Sequence, residues 1–250
     1  MPLFVHEADD RVKTVKVNLP LYNTAGLRQL ARLEPFLRPD DALMLVSGNV
    51  DKPLDLVWVG ESLAFLERLP GRKLVATAGL AHLHNLARAE LGATGLVYIY
   101  EPDFANVPEF SWEVGATLKN LEHAADSVRA HGQHVAFKPT GRPLAQAYLQ
   151  KHGWHYGAFA ERVDLLLVQT QTYCHGGRFA EAVEKLGLEC SAHLGKTYTQ
   201  VTVDPNARNG VAPEVATACA QLAAEGGFAG VTVWWSPRFV DRAAQFLKQR

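Results

Sequence analysis

The sequence has no uninterrupted apolar run near the roughly 20 residues that a membrane-spanning helix needs, and no polybasic segment to hold it at a membrane surface. Its formal net charge is −1, from 25 Lys and Arg against 26 Asp and Glu, so it also lacks the basic excess that nucleic-acid binding draws on. Neither a membrane nor a nucleic acid is expected as a partner, and a small neutral ligand suits this charge balance best. The N-terminus, MPLFVHEADDRVK, is without the basic start and apolar centre of a secretory signal, and a cytoplasmic location is expected from it. Cysteine is scarce. Cys174, Cys190 and Cys219 are an odd number in a chain large enough to need no staples, so free buried thiols are expected. No glycine-rich dinucleotide fingerprint follows the first strand-like run, and no repeat, low-complexity tract or composition break divides the chain.

What the sequence does have is rhythm. Its 250 residues, 48% of them hydrophobic, alternate short runs of Val, Leu, Ile and aromatics with longer segments of helical period. The runs at 12–20, 42–50, 73–79, 95–102, 134–141, 164–173, 190–198 and 229–237 read as strands. Segments 24–37, 56–69, 80–92, 111–132, 177–187 and 211–227 read as helices, with Gly92, Gly132 and Gly187 placed to end three of them. Strand and helix alternating eight times in this length predicts one (β/α)8 TIM barrel over residues 1–250, with an open doubly wound sheet as the alternative.

A barrel builds its site at the carboxyl ends of its strands. Several runs end there on a polar residue beside a proline: Glu101-Pro102, Lys138-Pro139, Ser236-Pro237, and Asn18 just before Leu19-Pro20. Proline stops the ladder and holds its neighbour extended, so each side chain is expected at a rim. Glu101 is the leading candidate for proton transfer, or else it is a rim residue neutralised by Lys138 on the next strand. Lys138 could itself serve as a Schiff-base amine if its apolar neighbours desolvate it. A period of two puts Gln169, Gln171 and Tyr173 on one strand face, an array suited to hydroxyl-rich or amide ligands. His193 and Lys196 close the expected seventh strand. Of Trp234 and Trp235, one must face the barrel and the other its helices, and an indole at the mouth makes a floor for a sugar ring. No histidine or cysteine spacing suggests a metal, and no cofactor is expected.

These segments resemble family 18 glycoside hydrolases, especially the compact plant-type chitinases. DLLLVQTQTY resembles the family's sixth strand through Asp164 and Gln169, or shifted by two through Gln171 and Tyr173. GVTVW, Gly230 to Trp234, is similar to its last strand, and GVAPEV to the stretch before its last helix. In the fourth strand, TGLVYIYE superposes on Asp-Gly-x-Asp-x-Asp-x-Glu with Gly95 and Glu101 kept and Thr94, Val97 and Ile99 in place of the aspartates. The resemblance implies that Glu101 is the acid that protonates the glycosidic oxygen. It also implies that the aspartate orienting the substrate's acetamido group is missing at Ile99, leaving Asp103 or Asp51 to supply a second carboxylate. Three functions follow as expectations: a carbohydrate-cleaving enzyme using Glu101, a barrel that binds an oligosaccharide without cutting it, or a lyase or aldolase using Lys138 or Lys196. The loops at 102–110 and 197–210 are expected to cover the rim.

Overall fold

In the computed structural model, which describes residues 15–49, 52–103, 107–145 and 151–250, the chain forms eight parallel strands. They are β1 (Lys16–Leu21), β2 (Ala42–Val46), β3 (Arg72–Ala78), β4 (Gly95–Tyr100), β5 (His134–Pro139), β6 (Leu165–Leu167), β7 (Thr197–Thr202) and β8 (Gly230–Trp234). Each pairs with the next. β8 pairs back onto β1, with Asn18 level with Ala42 on one side and Thr232 on the other, and the sheet closes into the expected barrel. The helices among the described residues are α1 (Thr24–Leu33), α2 (Leu56–Leu66), α3 (Leu80–Ala89), α4 (Val114–Arg129), α5 (Tyr156–Arg162), α6 (Gln171–His175), α7 (Phe179–Glu189), α8 (Pro213–Glu225) and α9 (Val240–Gln249).

Strands covered on both faces must be apolar throughout, and the period of two then divides each between two cores. Met44, Val46, Leu74, Ala76, Val97, Ile99 and Leu167 fill the barrel interior. Their neighbours Leu43, Leu45, Val75, Leu96, Tyr98 and Phe137 pack in the larger core shared with the helices. Gly95 and Gly230 open their strands where a Cβ would lie 2.7 Å from His134 O and 2.3 Å from Lys16 O, so only glycine lets the adjacent strand approach. Side chains fix the helix starts: Asn23 Oδ1 accepts from Gly26 N at 3.0 Å to cap α1, and Asp55 Oδ1 accepts from Trp58 N at 2.9 Å to cap α2.

Three sequence expectations fail here. Of the run expected as the seventh strand, 190–198, only Thr197 and Tyr198 are strand. Ser191–Lys196 is a 3-10 helix, and β7 begins at Thr197, where Thr197, Thr199 and Val201 supply alternate β-branched side chains. The first six residues of the expected rim loop at 197–210 are therefore strand. The sixth run stops at Leu167, and 171–175 turns helical, because Thr170 Oγ1 replaces the ladder by donating to Gln200 O (3.0 Å) and accepting from Gln200 N (2.8 Å). Gly187 lies inside α7, whereas Gly92 and Gly132 do take the positive φ values, 83° and 69°, expected after a helix.

The cysteine expectation fails too. Cys174 of α6 and Cys219 of α8 form a disulfide with a Cα–Cα distance of 6.3 Å. Cys190 alone is free, buried, and pushed up to about 12 mainly by that burial. In denaturant without reductant, a thiol reagent should therefore label one of the three cysteines, and all three after reduction. Three labels before reduction would exclude the disulfide.

Candidate functional site

Glu101 follows the last residue of β4 and continues the inward face of Val97 and Ile99, with Pro102 preventing further pairing. Its Oε1 accepts from Gln169 Nε2 at 2.6 Å. The backbone holds Gln169 there: it bridges to Thr140, and its N–H donates to Pro139 O at 3.2 Å. Beside this pair lies a cavity of about 540 Å³ lined by Glu101, Asp103, Thr140, Arg142, Ala145, Gln169, Gln171, Thr172, Tyr173, Arg178, Arg208 and Asn209. Gln169, Gln171 and Tyr173 thus converge on one cavity, though a bridge and a short helix bring them there in place of a single strand face. The Tyr173 hydroxyl donates to Gly141 O at 2.8 Å, which pins α6 to the loop after β5.

Lys138 lies deeper than expected. It is 5% exposed, level with Ile99 in the β4–β5 register, because β5 runs on through Pro139. Burial lowers its pKa to about 8, and the negative charge of Glu101 opposes the shift without cancelling it. Among the described residues no carboxylate lies within 4.0 Å of its ammonium, so the expected Lys138–Glu101 pair is not a direct contact.

Asn18 is likewise inside the barrel and not at a rim, since β1 continues through Pro20 to Leu21. Its Nδ2 donates to Thr232 Oγ1 at 3.3 Å, and its Oδ1 has no partner among the described residues. His193 and Lys196 precede β7 and fall at the opposite end of the barrel, where Lys196 Nζ donates to Val163 O at 2.8 Å. They are removed from the candidate site. Trp234 closes β8 and meets Tyr22 with ring centroids 4.6 Å apart, while Trp235 is buried on the outer face, its Nε1 donating to Pro20 O at 2.9 Å. The Tyr22 hydroxyl is pushed up mainly by burial and further by the charge of Glu101.

Sequence reasoning missed Tyr22, Gln200 and the cavity's arginines. Gln200 is 2% exposed, its Oε1 is without a partner among the described residues, and it lies in the stretch expected as loop. Asp51 lies outside the described residues, as does the middle of the 102–110 loop. A second cavity, about 580 Å³, opens on the β2–β3 side between Asn49, Gly79, His82 and Glu109. Among the described residues no group of three or more His, Cys, Asp or Glu side chains could hold a metal ion, and no helix is long and apolar enough to cross a membrane.

No family model and no curated protein matches the sequence. Solved structures do match the fold, along nearly the whole chain. The glycoside hydrolase domain of PgaB (BpsB) from Bordetella bronchiseptica superposes with a TM-score of 0.69 at 10% identity, covering 94% of this chain and 98% of that one. For the GH18 chitinase ChiB of Flavobacterium johnsoniae the values are 0.65 at 7%, with 95% and 93% covered. For a chitinase-like agglutinin from Robinia pseudoacacia they are 0.63 at 12%, with 95% and 99% covered. The protein is a (β/α)8 barrel of the shape shared by family 18 chitinases and chitinase-like proteins.

Proposed function

We propose that the barrel mouth binds an oligosaccharide around the Glu101 carboxylate and leaves it uncut. The observation that carries this reading is the setting of Glu101: it is held by Gln169 at 2.6 Å on a cavity wall, above an interior where Val97 and Ile99 offer neither charge nor hydrogen bond. Hydrolysis assisted by the substrate's own acetamido group needs a carboxylate two residues before the acid to orient that group, and Ile99 cannot do so. The Gln169 amide occupies one oxygen of Glu101 as a hydrogen-bond donor. A carboxylate beside an amide accepts and donates to vicinal hydroxyls, and Tyr22 with Trp234 offers aromatic surface to a sugar ring. That a chitinase-like agglutinin has this fold supports a binding role.

Hydrolysis is the second reading, favoured by Asp103, a second carboxylate on the same cavity. Against it, Asp103 is engaged by Arg142 Nη1 at 2.8 Å. Use of Lys138 as a Schiff-base amine loses support because Lys138 is buried and does not line the cavity. The disulfide favours an oxidising compartment over the cytoplasmic setting expected from the N-terminus. Calorimetric titration with oligosaccharides of N-acetylglucosamine and of other neutral sugars should find binding that Glu101→Gln weakens by about tenfold or more, the size of a charge-assisted hydrogen bond. Equal affinity in both proteins would remove Glu101 from the site.

A further inference from the structure

The cavity beside Glu101 carries more positive charge than a neutral sugar requires. Arg142, Arg178 and Arg208 line it together with Glu101 and Asp103. Arg142 is committed to Asp103 at 2.8 Å. Among the described residues no carboxylate oxygen lies within 4.0 Å of the guanidinium of Arg178 or Arg208. Local structure does not explain Arg178 either. It occupies the N-cap of α7 and makes no side-chain cap bond, and the start of a helix favours negative charge, so a cation there is a local cost. Arg208 stands on the loop after β7, next to Asn209. With Arg142 and Asp103 set against each other, two unpaired guanidinium groups remain on the β6–β7 side of the mouth, round the rim from Glu101. Each presents a planar fork of N–H donors that fits paired oxyanion oxygens.

We infer that the oligosaccharide bound at this mouth is acidic, its carboxylate, sulfate or phosphate group taken up by Arg178 and Arg208 while its hydroxyls meet Glu101 and Gln169. The inference rests on the carbohydrate reading and narrows it, replacing the neutral ligand expected from net charge. Net charge averages over the whole surface and hides a local excess of this kind.

Titration at low salt with three tetrasaccharides tests it: neutral N-acetylglucosamine, a uronate, and a sulfated sugar. At least one acidic ligand should bind about tenfold or more tighter than the neutral one, and that margin should shrink as salt rises. The uronate and sulfated arms tell which oxyanion is preferred. Arg178→Gln with Arg208→Gln, two exposed positions, should erase the margin between acidic and neutral ligands. A neutral ligand bound as tightly as both acidic ones, or a margin that survives the double substitution, overturns the inference alone. Absence of binding by all three overturns the carbohydrate reading along with it.

Discussion

Lys138→Met is expected to be more stable than the wild type at pH 7 by about 3 kcal/mol, and to keep only about 1 kcal/mol of that advantage at pH 10. In the unfolded chain the lysine stays protonated up to 10.5, whereas in the barrel its pKa falls to about 8 through burial. Between those values the unfolded state binds more protons, so this residue makes stability rise with pH. Below pH 8 the native barrel carries a buried ammonium on β5, level with Ile99, a position a methionine would fill without charge. The buried tyrosines and Cys190, raised above their usual values, work the other way at high pH. They are common to both proteins and cancel in the difference. Urea unfolding of the two at pH 7 and pH 10 measures it, and a gap independent of pH would mean that Lys138 is not desolvated.

A larger loss is expected at the other end of the barrel. Asp41, which precedes β2, is 2% exposed and takes four hydrogen bonds: from Val17 N (2.9 Å), Arg38 N (2.8 Å) and both terminal nitrogens of Arg250 (2.5 Å each). Arg250 also donates to Phe36 O at 2.8 Å and Val15 O at 3.3 Å, so this buried pair ties the end of α9 to the entries of β1 and β2. Asp41→Ala leaves a buried guanidinium without its counter-charge and two backbone N–H groups without acceptors. That should cost about 3–5 kcal/mol, read as a lower urea midpoint with little change in slope. Asp41→Leu combined with Arg250→Met should recover part of the loss, because the penalty comes from stranding one charge. A single substitution costing under about 1 kcal/mol would show that the pair is solvated.

How far the sequence was legible follows from how local each signal is. The run GLVYIYEP is apolar on both faces and ends in a proline, so β4 and the rim position of Glu101 could be read directly. The seventh strand misled because CSAHLGK and TYTQVT are both short and mixed, and only the pairing of β7 with β6 and β8 selects the second. Helix α6 had no signal at all. Its five residues are too few for an apolar period, and its conformation depends on Thr170 bonding the backbone of Gln200, 30 residues away. The arginines were illegible for a related reason. Arg142, Arg178 and Arg208 sit outside the regular strands, with no periodicity to point them anywhere, and only barrel closure gathers them on one cavity. Proline marks the rim at Glu101 but not at Asn18 and Lys138, because β1 and β5 run on through their prolines.

One titration decides between binding and cutting. An oligosaccharide that saturates the wild-type protein is held with it for many hours at its binding concentration, and affinity and chain length are then read from the same sample by calorimetry and mass spectrometry. Binding around Glu101 without hydrolysis predicts a saturable complex, ligand of unchanged length, and weaker association with Glu101→Gln. Shortened products that appear with the wild type and vanish with Glu101→Gln would contradict it and make Glu101 a catalytic acid after all.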